Sequence, residues 1–409
     1  MIAEQQLGEV TVTAGGRPMA QSAARIVITG GGTAGHTNPG IAVAEALVEQ
    51  GVANEDIVFV GGQRGNEKTL VPNAGFAIEL LPGRGIERRL SPAAIGAVFA
   101  LLAGVGKGFW FMVRHKPRVV LCLGGYAAFA VSMAAVMLRV PIVITEQNAR
   151  SSAVNRLIGR WAKVCALPFP DTDLPNGVLT GNPSLAAVVD AVSSADRTTA
   201  REELGLQTET ADADRVVLGV WSGSLGATKV NETVRELAIR WADRNDVAIR
   251  HVVGRRDWPS YAQTPPEVSG GKLVYQLVEY EDRMPLVLIA SDIALCRAGA
   301  STIAELSIAG LPSVLVPLPT APRDHQRANA QELVDAGGAI VVDNADLTVD
   351  RLEAELAPLV TDAERRAAMS AAAASVARPD AAQRVAEIVI ETGRIGNRAS
   401  QGKAAGDGE

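Results

Sequence analysis

The strongest constraint on the fold is the alternation of two kinds of segment along the chain. Short runs rich in Val, Ile and Leu are followed by glycine-containing turns and then by longer segments with helical periodicity. Continuous apolar runs are typical of parallel strands, which helices cover on both faces. The alternation therefore predicts an α/β fold built on parallel sheets.

This alternation occurs in two series. The first contains strand-like runs at Arg25–Thr29, Ile57–Val60, Phe76–Leu81, Arg118–Cys122, Ile142–Thr145 and Lys163–Ala166. The second contains runs at Val216–Val220, Val247–Val252, Leu273–Tyr275, Ile293–Cys296, Ser313–Val316 and Ala339–Val342. A length of 409 residues also suits two cores better than one. We expect two Rossmann-like domains with a cleft between them.

The boundaries of these domains follow from composition. We expect a disordered extension (1–22), a first Rossmann-like domain (23–183), an inter-domain linker region (184–214), a second Rossmann-like domain (215–378), a closing helix (379–396) and a disordered tail (397–409). The carboxyl ends of parallel strands are where such sheets bind ligands, so the loops after the strands are the candidate site.

Charge is distributed unevenly along the chain. The net charge of −6 argues against nucleic acid as a partner. From Leu81 to Arg118, however, seven basic residues accompany the single acid Glu87. Within this region, Ile86–Lys116 also contains the apolar clusters Val98–Leu102 and Phe109–Met112. This composition is typical of a surface that binds anionic lipid, and the alternative is a buried helix with a solvated basic end.

Cysteine usage and hydropathy bear on the cellular compartment. Cys122, Cys165 and Cys296 lie in apolar runs without disulfide or zinc spacing, which indicates buried thiols in a reducing cytoplasm. Met1–Gln21 lacks the apolar core of a secretory signal, and we predict no transmembrane segment. We therefore expect a cytoplasmic protein.

A glycine-rich loop, Gly30–His36, follows the first strand. Asn38 and Pro39 suit the N-cap and first position of a helix after it, so the loop amides are expected near a phosphate or another electron-rich group. The loop also matches the G-x-G-x-x-G pattern of dinucleotide-binding enzymes. The second strand nevertheless runs into Gly61 and Gly62 without an acid to hold a ribose, which argues against that alternative.

Seven motifs, in order, resemble those of the bacterial peptidoglycan N-acetylglucosaminyltransferases, which are similar to glycosyltransferase family 28. The motifs are Gly31–His36 with Asn38–Gly40, Gly124–Tyr126, Glu146–Asn148, Thr180–Pro183, Ser222–Ala227, Cys296–Glu305, and Asp324–Gln326 with Asn329–Ala330. The resemblance implies a GT-B fold and an inverting transfer of N-acetylglucosamine (GlcNAc) from UDP-GlcNAc. The acceptor would be the C4 hydroxyl of the MurNAc of undecaprenyl-diphospho-MurNAc-peptide, which converts lipid I to lipid II at the cytoplasmic face of an anionic membrane.

The resemblance also implies roles for residues of the first domain. Thr33, Ala34 and Gly35 would line the sugar-diphosphate side of the cleft, and Asn148 would contact the GlcNAc. His36 is our candidate general base, because a neutral imidazole suits proton transfer near neutral pH. The alternative for His36 is a hydrogen-bonded histidine without a catalytic role.

In the second domain, the resemblance implies the donor site. Ser224 would approach a phosphate, Glu305 would accept hydrogen bonds from the ribose hydroxyls, and Gln326 would contact the GlcNAc hydroxyls. Glu281 aligns with an aliphatic residue that lies against the uracil, and a backbone contact there would survive the change. The turn and helix before Glu305 complete the expected donor segment: Ala300, Ser301, Thr302, Ile303 and Ala304.

We expect neither a cofactor nor a metal ion. Asp171–Asp173 matches the D-x-D pattern of metal-dependent transferases, but it lies in a proline-flanked loop and is interpreted as a turn. The resemblance thus implies a metal-independent transferase.

Several positions depart from the family pattern. Ala34, Ser222 and Leu225 replace residues of the two glycine-rich loops, and Leu185 replaces an Arg expected to hold the donor diphosphate. Arg297 and Arg323 are candidate replacements for that cation. These departures leave three alternatives open: a GT-B UDP-sugar transferase with another acceptor, a UDP-GlcNAc 2-epimerase, and a UDP-sugar-binding protein with weak or no catalysis.

Overall fold

The structure of the chain, a computed structural model, describes residues 25–63, 65–81, 92–194, 196–206, 215–263 and 272–395. The expected extension (1–22) and tail (397–409) lie outside these residues. So do the basic residues Arg84, Arg88 and Arg89 and the last part of the expected linker region (207–214).

The first sheet is parallel throughout and has seven strands. The strands are β1 (Ile26–Gly30), β2 (Ile57–Gly62), β3 (Ala77–Leu81), β4 (Val119–Gly124), β5 (Ile142–Thr145), β6 (Val164–Leu167) and β7 (Gly177–Leu179). Their order is β3-β2-β1-β4-β5-β6-β7. The chain reverses its direction of progress between β1 and β4, so the loops after these two strands diverge and open a crevice.

The helices of this half are α1 (Ala34–Glu49), α2 (Glu67–Asn73), α3 (Pro92–His115), α4 (Tyr126–Leu138) and α5 (Ala153–Ile158). Short 3₁₀ turns cover Asn54–Asp56 and Gly159–Trp161. The central strands β1, β4 and β5 are buried along their whole length, as the continuous apolar runs predict.

The second sheet is also parallel and has six strands. They are β8 (Val216–Trp221), β9 (Val247–Val252), β10 (Val274–Val278), β11 (Ile293–Cys296), β12 (Ser313–Leu315) and β13 (Ala339–Val341), in the order β10-β9-β8-β11-β12-β13. The predicted pair of Rossmann-like α/β units is confirmed.

The remaining helices surround the second sheet and connect the two halves. They are α6 (Ala186–Ser194), α7 (Arg197–Glu203), α8 (Thr228–Arg240), α9 (Trp258–Gln263), α10 (Met284–Ala290), α11 (Ala300–Ile308), α12 (His325–Ala336), α13 (Val349–Thr361), α14 (Ala363–Ser375) and α15 (Ala381–Gly393), with a 3₁₀ turn at Pro322–Asp324. α6 and α7, in the segment expected to link the domains, pack against α10. α15 returns to the first half, where it packs against α1.

Two local expectations are wrong. α1 begins at Ala34, so Asn38 and Pro39 lie inside the helix and do not start it. The carbonyl of Thr33 already accepts the amides of His36 and Thr37 at 3.1 Å, which closes the first turn earlier. β7 was not predicted, because this strand has only three residues and lies at the partly exposed edge of the sheet. The three cysteines are buried and free, as expected.

Candidate active site

The loop after β1 is shaped by a buried carboxylate that sequence reasoning missed. Glu67, at the start of α2, is 3% exposed and accepts hydrogen bonds from the amides of Gly32 at 2.8 Å and Gly62 at 2.9 Å. Gly31 has φ of 138°, and a Cβ there would lie 2.4 Å from the carboxyl carbon of Glu67. The Gly32 amide was expected near the anion of a ligand. It donates instead to the carboxylate of Glu67. No pattern near Glu67 in the sequence pointed to this contact.

His36 lies in the first turn of α1, directly after this loop. Its Nδ1 is 3.0 Å from Oγ1 of Thr33, and its ring is partly buried. Burial lowers the pKa of His36 below its usual range, although the charges of Glu146 and Glu67 oppose the shift. The imidazole is therefore neutral near pH 7, as general-base chemistry requires.

Glu146 holds the loop after β5 in shape. Its fully buried carboxylate accepts hydrogen bonds from the amides of Gln147, Asn148 and Ser152 at 2.9–3.1 Å and from Nδ2 of Asn155 at 2.9 Å. These four donors determine where Asn148 lies. The sequence motif drew attention to Glu146, but only Asn148 was assigned a role.

Asn329, on α12, joins the two domains at this loop. It is completely buried, and its Oδ1 accepts the amide of Ala149 at 2.8 Å. Its Nδ2 donates to Oδ1 of Asn148 at 3.1 Å and to the carbonyl of Ala298 at 3.2 Å. Because the Oδ1 of Asn148 is engaged, its amide nitrogen is the group left to donate into the cleft.

The loop between β8 and α8 carries Ser224. Gly223, Ser224 and Leu225 are exposed, and Leu225 is 61% exposed. The Ser224 carbonyl accepts a hydrogen bond from the amide of Arg255 at 3.1 Å, which fixes the backbone of the loop. The loop precedes the amino terminus of α8, where backbone amides favour an anion.

Glu305 lies on α11, after β11, and is partly buried. Burial raises the pKa of Glu305 to about 7. Of the expected donor segment, Ala300 and Ile303 are buried in the apolar core, and Ser301, Thr302 and Ala304 are half-buried. The side chains of Ala300 and Ile303 are therefore unavailable to a ligand.

The remaining expected donor residues have structural partners. The buried carboxylate of Glu281 pairs with Arg250 and accepts the amide of Arg283 at 3.0 Å, so only its backbone is free to contact a base. The Oε1 of Gln326 accepts a hydrogen bond from the amide of Leu318 at 2.9 Å, so its Nε2 is the group left to donate to a sugar.

The two arginines considered as replacements for the missing cation are already engaged. Leu185 itself packs among apolar residues of both domains. Arg297 donates to the carbonyls of Val316 and Pro317 and to Asn344. Arg323 donates across the cleft to Ser151 and Asp173.

Asp173, from the D-x-D match, serves as an acceptor between the domains. Its Oδ1 accepts the amide of Ser151 at 2.7 Å, and its Oδ2 pairs with Arg323 at 2.7 Å. Partial burial raises the pKa of Asp173, but the hydrogen bonds from Arg323 and Ser151 outweigh it and lower that pKa to about 2. The carboxylate therefore stays charged and holds the cleft together.

Comparison with known proteins identifies the family. The glycosyltransferase family 28 N-terminal domain matches residues 26–167, and the family's C-terminal domain matches residues 217–385. The chain belongs to glycosyltransferase family 28. The curated relatives in this family include the UDP-N-acetylglucosamine–N-acetylmuramyl-(pentapeptide) pyrophosphoryl-undecaprenol N-acetylglucosamine transferase of Nocardioides sp., which is 39% identical over 90% of this chain and 98% of its own. The transferase of the same name from Streptomyces coelicolor is 37% identical over 90% of this chain and 97% of its own.

Solved structures agree with this family 28 assignment. The crystal structure of Acinetobacter baumannii MurG matches with a TM-score of 0.70 and 26% identity, covering 90% of this chain and 99% of that one. A putative UDP-N-acetylglucosamine 2-epimerase from Listeria monocytogenes matches with a TM-score of 0.66 and 15% identity over 92% of this chain and 98% of that one. The second likeness extends to the fold alone. The chain is thus a glycosyltransferase of the GT-B fold.

Proposed function

We propose that this enzyme transfers GlcNAc from UDP-GlcNAc, with inversion, to the C4 hydroxyl of the MurNAc of undecaprenyl-diphospho-MurNAc-peptide, which forms lipid II from lipid I. The observation that carries the proposal is the relation to the two curated transferases, which spans both domains and nearly their whole length. The motif residues gathered at the carboxyl edges of both sheets support it.

The donor is assigned mainly to the second domain. Glu305 accepts hydrogen bonds from the ribose hydroxyls, the backbone at Glu281 contacts the uracil, and Ser224 donates to a phosphate. The segment Ala300–Ala304, at the start of α11, lies next to the nucleoside. Gln326 and the free amide nitrogen of Asn148 bind the GlcNAc hydroxyls from the two sides of the cleft.

The acceptor and the proton are assigned to the first domain. If Nδ1–H of His36 donates to Thr33, the lone pair on Nε2 is left to take the proton from the C4 hydroxyl as that oxygen attacks the anomeric carbon. The backbone from Thr33 to Gly35 lines the sugar-diphosphate side. The negative charge that develops on departing UDP meets Ser224 and the amides at the start of α8.

We also propose that the enzyme binds the cytoplasmic face of the membrane from the amino edge of the first sheet. α3 and α4 each lead into a parallel strand, so their carboxyl ends lie at that edge, where Trp110 is 64% exposed and Met137 62% exposed. A cavity of about 1400 Å³ at this edge is lined mostly by apolar residues, with four cations, one aromatic ring and one acid among them: Arg118, Arg139, Lys163, Arg394, Trp161 and Glu391. Exposed apolar groups among cations favour anionic lipid.

The apolar cluster Phe109–Met112, predicted to face the membrane, is partly buried and partly exposed in the structure. Phe111 and Met112 are buried in the core beneath α3, whereas Trp110 points outward and stacks with Arg114. No helix among the described residues is long and apolar enough to cross a membrane. We propose a peripheral contact, made by Trp110, Met137 and the cations near them.

The decisive experiment measures UDP release from UDP-GlcNAc with and without a lipid I analogue, in detergent with EDTA. We expect release that depends on the acceptor and persists in EDTA, because no step is assigned to a divalent ion. His36→Ala is the matched control and should retain UDP binding. Release without acceptor dependence, or with a different lipid acceptor only, contradicts the proposal.

A further inference from the structure

The loop after β9 is pressed against the loop that carries Ser224. A Cβ on Gly254 would lie 2.2 Å from the amide nitrogen of Gly226, and a Cβ on Gly226 would lie 2.0 Å from the carbonyl oxygen of Val253. Both glycines have positive φ, 91° and 82°. The residues that follow Gly254, namely Arg255 and Arg256, are therefore held directly beside the Ser222–Gly226 loop.

The guanidinium of Arg256 lies against this loop. Its Nη2 donates to the carbonyl of Gly226 at 3.2 Å and to Oγ1 of Thr228 at 3.1 Å, which places it at the start of α8. The side chain is 52% exposed. In the part of the chain that the structure describes, Nη1 of Arg256 donates no hydrogen bond. The group is thus anchored on one side and open on the other.

Asp257 fixes the orientation of this guanidinium. Its Oδ1 accepts Nε of Arg256 at 2.8 Å, while its Oδ2 accepts Oγ1 of Thr228 at 3.0 Å and Nδ2 of Asn231 at 2.9 Å. Its side chain is 9% exposed. Nη2 of Arg256 also donates to Oδ2 of Asp257 at 3.3 Å, so the Nε and Nη2 side of the guanidinium faces Asp257 and Nη1 is held pointing away from it. A charged N–H group fixed in this way suits a phosphate oxygen.

The neighbouring Arg255 is directed elsewhere. Its guanidinium carbon lies 4.3 Å from the centre of the Tyr280 ring. Arg297 and Arg323 are committed to structural acceptors, and position 185 is apolar, as described above. Arg256 therefore differs from these arginines, because among the described residues its Nη1 has no acceptor and it lies beside the loop that carries Ser224.

We infer that Arg256 donates a charged hydrogen bond from Nη1 to the diphosphate of the UDP-sugar and takes the place of the cation absent at Leu185. This inference rests on the proposed donor site. It identifies a substrate-contacting residue that no motif indicated.

The test compares UDP with uridine, which lacks the phosphates, by isothermal titration calorimetry. For Arg256→Gln we expect UDP to bind about 10- to 100-fold more weakly, as for the loss of one charged hydrogen bond, and uridine to bind with unchanged affinity. Arg256→Lys, which keeps the charge but loses the anchored position of Nη1, should fall between wild type and Arg256→Gln. Arg351→Gln, which removes an equal charge from α13, should leave both affinities unchanged.

Four results overturn the inference. If Arg256→Gln weakens uridine as much as UDP, the residue only supports the loop. If it weakens neither ligand, Arg256 does not contact the diphosphate. If wild-type protein binds UDP no better than uridine, no cation contacts the phosphates, and absence of binding to both ligands refutes the proposed donor site as well. Thermal unfolding of each variant establishes that the affinities refer to folded protein.

Discussion

The carboxylate of Glu67 accepts the amide of Gly32 at 2.8 Å, and this contact determines the shape of the loop that leads into His36. A second bond to Gly62 at 2.9 Å ties the loops after β1 and β2 together through the same side chain. The loop therefore has an internal anion in the position that a sequence motif of this type suggests for a ligand phosphate.

Glu67→Ala removes the acceptor of two part-buried hydrogen bonds, from the amides of Gly32 and Gly62. We expect it to lower the free energy of unfolding by about 2 kcal/mol, since each such hydrogen bond contributes about 0.5–1.5 kcal/mol. Glu67→Gln keeps one acceptor and should lose about half as much. Glu49→Ala, at an exposed position on α1, is the control and should stay within about 0.5 kcal/mol of wild type. Urea unfolding measures all three, and equal stability of Glu67→Ala and wild type would contradict the assigned role.

The pH dependence of turnover tests His36. Burial lowers the pKa of His36, so the neutral form persists to a pH below the ordinary titration range of histidine. We expect kcat, at saturating donor, to fall only below about pH 6.5. His36→Gln should reduce kcat by about 100-fold or more and abolish this acid limb, with UDP affinity unchanged. An acid limb that survives in His36→Gln would assign the base elsewhere.

Glu305 gives a separate pH dependence, in binding. Because burial raises its pKa to about 7, the carboxylate that accepts the ribose hydroxyls is lost as the pH falls through neutrality. We expect uridine affinity to decrease about 10-fold from pH 8 to pH 6, since the charged fraction falls by that factor. Glu305→Gln should bind uridine weakly at both values. Uridine is the suitable ligand because it carries no phosphate that titrates in this range, and a flat wild-type profile would exclude this role.

Much of the fold could be predicted from the sequence because buried parallel strands have continuous apolar runs. Every predicted run of the second series overlaps an observed strand, whereas β7, with three residues at an exposed edge, has no such signal. The start of α1 was misplaced because Asn38 and Pro39 match helix-start preferences that the Thr33 carbonyl overrides. The hydrogen bonds from His36 and Thr37 to the Thr33 carbonyl thus start the helix before the residues whose types favour a helix start.

The candidate site could be predicted only where a motif carried it. Glu67 acts through backbone amides of two other loops and Glu146 through amides of its own loop, and such contacts exist only after the chain has folded. Asn329 reaches Asn148 across 181 positions of sequence, which no local pattern records. No local pattern in the sequence indicates that Arg297 and Arg323 donate to acceptors within the protein.

The contacts between the domains differ in burial, and this difference is testable. Asn329→Ala leaves the Ala149 amide and the Ala298 carbonyl without partners in a buried position, so we expect a loss of about 2–3 kcal/mol in unfolding free energy. Because Asn148 also loses its anchor, kcat should fall by about 10-fold or more. Arg323→Gln removes a partly exposed ion pair and should cost about 0–1 kcal/mol. If Asn329→Ala and Arg323→Gln lowered the unfolding free energy equally, the buried Asn329 would stabilise the contact between the domains no more than the Arg323–Asp173 ion pair does.

The membrane surface can be separated from other exposed apolar groups. Trp110 and Met137 are exposed at the amino edge of the first sheet, so Trp110→Ser with Met137→Ser should weaken binding to phosphatidylglycerol vesicles by about 10-fold or more. Ile239, 49% exposed on α8 of the second domain, provides the matched control, and Ile239→Ser should bind as wild type does. Co-sedimentation at low salt measures binding, and high salt should weaken it because the surrounding cations contribute. If Ile239→Ser loses as much binding as the double variant, membrane contact is a general property of exposed apolar groups and not of this surface.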